Sequence, residues 1–148
     1  MQELDFAIQR KILKAGNRLS SIRSDHLGAH NLTTGQSETL LFFSSRPGST
    51  VSDLKDHLEI SHQAARNIVG RLKEKGLLSA EPSQKDARAN AVRLTAAGSA
   101  LCDHLKQSGS QVGTTLLCGF TEDEKDLLLH FLERVTENIM GSHTLAEP

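Results

Sequence analysis

The stretch that most constrains the fold is residues 61–75, in which apolar and polar side chains separate onto opposite faces of a helix. Ala65, Ile68, Val69 and Leu72 fall at i, i+3, i+4 and i+7, and Leu77 and Leu78 prolong the stripe just past the end. Such a stripe has to be covered by a core. The opposite face carries His62, Gln63, Arg66, Asn67, Arg71 and Lys73. Ser61 suits the N-cap, where its hydroxyl can accept from an otherwise unpaired backbone N–H, and Gly76 suits the stop, where φ turns positive. Gln, Asn and Arg can pair with base edges through two hydrogen bonds at once. They cluster here in the first two turns, the end that a recognition helix inserts into the major groove.

The neighbours of this stretch complete a recognisable unit. Upstream, Val51, Leu54 and Leu58 form the apolar side of a short helix capped by Thr50 or Ser52, with Asp53 placed against the positive end of the helix dipole. Glu59 and Ile60 make the turn, so the two helices form a helix-turn-helix. Downstream, residues 77–82 and 89–94 have the character of strands around a polar turn, residues 83–88. In the second strand Asn90, Val92 and Leu94 alternate with Ala89, Ala91 and Arg93, the period of two of a half-buried ribbon. A hairpin in that place is a wing.

Four segments, Val51-Ser-Asp-Leu-Lys-Asp-His-Leu-Glu-Ile-Ser61, Arg71-Leu-Lys-Glu-Lys-Gly-Leu-Leu78, Asp86-Ala-Arg88 and Val92-Arg-Leu-Thr-Ala-Ala-Gly98, follow one another in an order and spacing that resemble the winged-helix core of the MarR family of bacterial transcription regulators. Chain length and flanking helices fit as well, so the resemblance covers nearly the whole sequence. It implies a single domain, residues 1–148, mainly α with a small β-wing. In it a winged helix-turn-helix region, residues 34–95, is flanked by N- and C-terminal dimerisation helices, residues 1–33 and 96–141, and a frayed tail, 142–148. It further implies that Arg88 enters the minor groove, pinned by Asp86; narrow minor grooves attract arginine electrostatically. Arg71, Lys73 and Lys85 are expected to contact phosphates, adding affinity and salt dependence without reading sequence. Arg93 and Lys75 are expected to be only solvated.

The flanks carry their own pattern. Leu4, Ile8, Ile12, Ala15, Leu19 and Ile22 recur at steps of three and four along a helix over residues 3–25, broadened by Phe6 and Leu13. One face that long and that apolar needs more partner surface than a winged helix provides. Residues 28–33, beginning with Gly28, are expected to end it. The next helix covers 34–45 with Leu40, Leu41 and Phe43 inward, and Arg46-Pro47-Gly48 is a turn by composition. After the wing, Thr95 can cap a helix carrying Leu101, Leu105, Val112 and Leu116. Residues 107–115, with two Gly, two Ser and two Thr, have the composition of a linker. Yet Leu105, Gly109, Val112 and Leu116 keep to one face across it. Periodicity and resemblance together predict a continuous helix, with Gly109 and Gly113 at a bend or a close helix crossing. Gly119 ends that helix, and Thr121-Glu-Asp-Glu124 is a capping box for a last one striped by Leu128, Phe131, Leu132, Val135 and Ile139. Dimerisation through these flanks would set two recognition helices one turn of DNA apart, roughly 34 Å, and implies a pseudo-palindromic operator.

Composition decides which functions to set aside. The 148 residues contain no Trp or Tyr and five Phe, too few aromatics for the stacking platforms that hold single strands or RNA. The net charge of −1 conceals a segregation: residues 1–60 balance at 0, residues 61–95 carry +4 and residues 96–148 carry −5. Positive charge thus sits on the recognition helix and wing, where phosphates would be met. The first thirteen residues are interrupted by Glu3, Asp5, Arg10 and Lys11, and the longest apolar run is four residues, 40–43, so the expected location is the cytoplasm, with no membrane partner. Neither a Gly-rich phosphate loop nor a nucleophile elbow is present, so no enzymatic activity and no cofactor are expected.

The remaining readings concern what the regulator senses. The resemblance implies a small aromatic or anionic effector bound between the dimer layer and the winged helix, where Arg23, His26, His30, Phe42 and Phe43 would lie. His26 and His30 with Asp25, Glu38 and His104 suggest a zinc set, but Gly28 is expected to break the helix that would align the histidines, and no recognised ligand spacing occurs, so no metal site is assigned. Cys102 and Cys118, sixteen residues apart, suit small buried apolar residues better than redox sensors. An alternative on the same fold is a metal- or redox-sensing regulator; one of another class is a winged-helix protein-interaction module that reads no DNA, which needs no basic recognition face.

Overall fold

The computed structural model describes residues 1–82 and 90–141. The chain runs α1 (Gln2–Ala29), α2 (Thr34–Ser45), α3 (Val51–Leu58), α4 (His62–Glu74), β1 (Leu78–Pro82), β2 (Asn90–Leu94), α5 (Ala96–Leu116) and α6 (Glu122–Gly141). It is mainly helical with a small antiparallel wing, as expected. The chain divides into two compact units, Met1–Leu105 and Lys106–Pro148.

Local capping sets the element boundaries of the first unit. At the start of α4, the Ala64 N–H donates to Ser61 Oγ at 3.1 Å. At its end Gly76 takes φ +73°, its N–H donates to the Lys73 carbonyl at 2.9 Å and the Leu77 N–H reaches back to the Leu72 carbonyl at 3.0 Å. This is a Schellman stop, whose left-handed residue favours glycine. Thr50 and Asp53 form a capping box on α3, the Thr50 N–H donating to Asp53 Oδ2 at 2.9 Å and the Asp53 N–H to Thr50 Oγ1 at 3.3 Å. Thr33 and Gln36 cap α2 in the same reciprocal way, each bond 3.2 Å, a signal present in the sequence but not used above.

The end of α1 differs from expectation. The helix continues through Gly28 to Ala29, and the stop comes from Asn31 at φ +55°. The Asn31 N–H donates to the Gly28 carbonyl at 3.1 Å and the Leu32 N–H to the Leu27 carbonyl at 3.0 Å. Asparagine tolerates the left-handed region, so it closes the Schellman pattern and leaves Gly28 as a helical residue.

The core of this unit lies where α2, α3, α4, the wing and the start of α5 meet. Leu40, Leu54, Val69, Leu72, Val92 and Cys102 are almost solvent-free at its centre. The predicted stripe of α4 supplies buried Ala65, Val69 and Leu72 and half-buried Ile68. Burial of each Leu or Val side chain is worth about 1.5–3 kcal/mol, which anchors α4 while its other face remains exposed.

The wing pairs Leu78 with Leu94 through to Pro82 with Asn90. Its second strand departs from strict alternation, because Ala91 and Val92 are both buried. The reason is a third partner: Thr50 bridges to Ala91, and the Val92 N–H donates to the Ser49 carbonyl at 2.9 Å, so the segment before α3 covers that edge. Thr95 then caps α5, accepting from the Gly98 N–H at 3.0 Å while its hydroxyl donates to the Gly76 carbonyl at 2.6 Å. At Gly98 an added Cβ would lie 2.1 Å from the Leu77 carbonyl oxygen, so only glycine lets α5 start this close to the wing.

In the second unit, residues 107–115 are helical throughout, and periodicity prevails over composition. Thr114 and Thr115 turn their hydroxyls onto the Ser110 and Gln111 carbonyls at 3.0 and 3.1 Å, so those polar groups are satisfied inside the helix. Within this unit no atom of α6 comes within 4 Å of a Cβ built at Gly109 or Gly113. The predicted capping box on α6 is present, with Thr121 N–H to Glu124 Oε2 at 2.8 Å and Glu124 N–H to Thr121 Oγ1 at 3.2 Å. Along its stripe only Leu128 and Val135 are half-buried; Phe131, Leu132 and Ile139 are exposed. Leu4, Phe6, Ile8, Ile12, Leu13 and Ile22 of α1 are exposed as well.

Candidate nucleic-acid interface

The exposed face of α4 is built on the apolar stripe beneath it. Ser61, His62, Gln63, Arg66, Asn67, Arg71 and Lys73 are all exposed, the Ser61 hydroxyl being used as the cap. No acidic residue lies in the first turn, so the positive end of the helix dipole is available to an anion. Gln63 Nε2 donates to Asn67 Oδ1 at 2.9 Å, an i, i+4 bond that orients the two amides expected to meet base edges. At roughly 100° per residue, Gln63, Asn67 and Gly70 form the line farthest from the buried stripe, with His62 and Lys73 on one flank and Arg71 on the other.

A cleft borders each flank. One, of about 840 Å³, lies between α4 and the junction of α1 with α2, lined among others by Asn31, Thr33, Gln36, Arg66, Arg71 and Lys75. The other, of about 540 Å³, lies between α4, the start of α3 and the wing, lined by residues that include Ser52, His62, Arg66, Lys73 and Asn90. Arg66 and Gly70 line both.

Lys75 is more than solvated. Its ammonium donates to the Asn31 carbonyl at 2.5 Å and to Gln36 Oε1 at 3.2 Å, joining the end of α4 to the α1–α2 junction. Arg93 likewise pairs across the wing, Nη1 to Glu81 Oε2 at 3.1 Å, while both side chains stay largely exposed. Lys85, Asp86 and Arg88 lie outside the described residues.

Of the five expected effector residues, Arg23 and His26 lie on α1, His30 is its C-cap, and Phe42 and Phe43 lie on α2. Arg23 on α1 forms an ion pair with Glu38 on α2. Phe42 and Phe43 are each 3% exposed and meet edge-on at 5.1 Å between centroids. The Phe42 ring also faces His57 of α3 at 4.9 Å, with the Arg46 guanidinium 5.2 Å above it. His26 is exposed, and His30 turns to His104 of α5, ring to ring at 4.8 Å. Among the described residues no three His, Cys, Asp or Glu side chains converge closely enough to hold a metal ion. Cys102 is buried and Cys118 exposed, and neither is in a disulfide. No described helix is long and apolar enough to cross a membrane.

Known proteins share this arrangement. The MarR family model matches residues 30–89, which take in α2, α3, α4 and β1. The HTH-type transcriptional regulator YybA of Bacillus subtilis (strain 168), itself uncharacterised, is 25% identical over 132 residues, 89% of this chain and 88% of its own. Among solved structures, a MarR-family transcriptional regulator from Listeria monocytogenes complexed with 26mer DNA is 26% identical, with a TM-score of 0.76 over 88% of this chain and 87% of that one. The transcriptional regulator SlyA shares the fold, with a TM-score of 0.77 at 20% identity over 95% and 99% of the two chains. The helix-turn-helix, its hairpin wing and the exposed basic and amide face agree with these matches: residues 30–89 match the MarR family, and the chain has the winged helix-turn-helix fold of that family's DNA-binding transcriptional regulators.

Proposed function

We propose that the protein is a homodimeric repressor that binds a pseudo-palindromic operator in double-stranded DNA and leaves it when a small aromatic or anionic ligand binds. The observation that carries DNA reading is the face of α4: Gln63, Arg66, Asn67 and Arg71 project from a helix whose opposite side is locked in the core. A helix so held presents base-reading groups with little further loss of conformational freedom. Dimerisation is supported by the exposed apolar faces of α1 and α6, which a second copy would cover. A dimer spanning a promoter blocks access to it, which is the simplest route to repression. A ligand relieves it only by its differential affinity for a form whose recognition helices no longer match successive grooves.

The test is fluorescence anisotropy with the DNA upstream of the protein's own coding region, at several salt concentrations, for the natural chain, Arg66→Ala and Arg88→Ala. The natural chain should bind two chains per site, with affinity falling steeply as salt rises. Arg66→Ala should weaken specific binding by about 1–3 kcal/mol, the worth of a bidentate base contact. Equal binding of unrelated DNA, or indifference to both substitutions, would favour a protein-interaction module.

A further inference from the structure

We propose that the two clefts beside α4 seat the two sugar-phosphate ridges that border the DNA major groove, and that Lys75 is a phosphate contact. The inference rests on the DNA-binding reading and extends the interface beyond the helix-turn-helix, to the junction of α1 and α2.

The argument begins with size. An α-helix with its side chains is about 10–12 Å across, and the major groove is about 12 Å wide. A helix that enters the groove fills it, and each flank then faces the backbone of one strand. A protein surface level with the helix would collide with those ridges, so a concavity is required on each side. α4 has both, about 840 and 540 Å³, and Arg66 and Gly70 form the crest between them.

Charge agrees with shape. The wing-side cleft holds Arg66, Lys73 and His62 and no carboxylate. The other holds Arg66, Arg71 and Lys75 against the single carboxylate of Glu74. Arg23 and Arg93 are each matched by a glutamate, but among the described residues no carboxylate pairs with Arg66, Arg71, Lys73 or Lys75. Lys75 is distinctive because its two partners, a carbonyl and an amide oxygen, are neutral. They fix the ammonium at the cleft wall without cancelling its charge, and an ammonium has three N–H donors, so one remains for a phosphate oxygen. An oxyanion there is supplied either by duplex DNA or by a free small anion, and the experiment separates these.

Duplex DNA that the natural chain binds is titrated by anisotropy across a salt series with Lys75→Gln, Lys75→Arg and the natural chain, each also melted thermally. Loss of one phosphate contact per chain, two per dimer, should reduce the slope of log affinity against log salt by about 1.8 in Lys75→Gln, while Lys75→Arg keeps it. Neutralising one backbone phosphate at the groove edge as a methylphosphonate should weaken the natural chain and leave Lys75→Gln unaffected at that same position. An unchanged slope in Lys75→Gln, with or without a lower melting temperature, overturns the proposal and leaves Lys75 a structural tie between α4 and the α1–α2 junction. Inorganic phosphate that raises the melting temperature of the natural chain but not of Lys75→Gln, with the DNA slope unchanged, assigns the cleft to a free anion and overturns it equally. Failure of the natural chain to bind any duplex would instead remove the DNA-binding reading itself.

Discussion

Single residues at the turns show how local chemistry is legible and where it is not. Ser61, Thr95 and Thr121 act as the caps their positions predict, because a cap needs only neighbours three residues away. Lys75 could not be read that way, since its partners lie 44 and 39 residues back and meet it only through folding. Asn31 was equally hidden: Gly28 is the better stop by propensity, and the tertiary course of the chain decides which residue turns left-handed. Glu59 makes the sharpest local compromise, taking φ +54° between α3 and α4 with a Cβ that this region disfavours. Glu59→Gly should therefore raise stability by on the order of 1 kcal/mol, read as a higher thermal midpoint. A midpoint that falls would show that glutamate's side chain contributes more than its backbone strain costs.

At the scale of elements, α4 carries a conflict between stability and binding. Gly70 lies in its interior at a cost of about 0.5–1 kcal/mol relative to alanine, although no atom lies within 4 Å of a Cβ built there. The free chain has room for alanine there. Gly70→Ala should raise the thermal midpoint and at the same time weaken DNA binding, because the added methyl stands on the crest between the two clefts. A more stable variant with undiminished affinity would show that DNA does not come close at this position. The helix α5 shows the opposite relation between composition and outcome. Its Gly, Ser and Thr segment forms helix because threonine hydroxyls bond back to carbonyls one turn earlier and the apolar period is unbroken.

At the scale of the whole molecule the unfinished surfaces matter most. Ile8 and Ile12 of α1 and Leu127, Phe131 and Ile139 of α6 are 38–68% exposed, large apolar side chains that a second copy could cover. The proposed dimer predicts that the natural protein scatters light as twice its 16.1 kDa chain mass and melts at a temperature that rises with concentration. Ile12→Glu and Phe131→Glu should each shift it toward the monomer and weaken operator binding, while α4 keeps its helical signal. A natural chain that stays monomeric at micromolar concentration would sink the dimer reading. The sequence by itself determined the helices, the order of the winged unit and the exposed polar face of α4, because 3.6-residue periodicity, caps and a two-residue alternation act over short distances. Tertiary packing alone settles that Phe42 joins Phe43 in the core, that Ala91 is buried beside Val92 under the segment before α3, and that Lys75 ties α4 to the α1–α2 junction. Each of those depends on which distant segment covers a side chain or accepts its proton, and no short-range pattern encodes it.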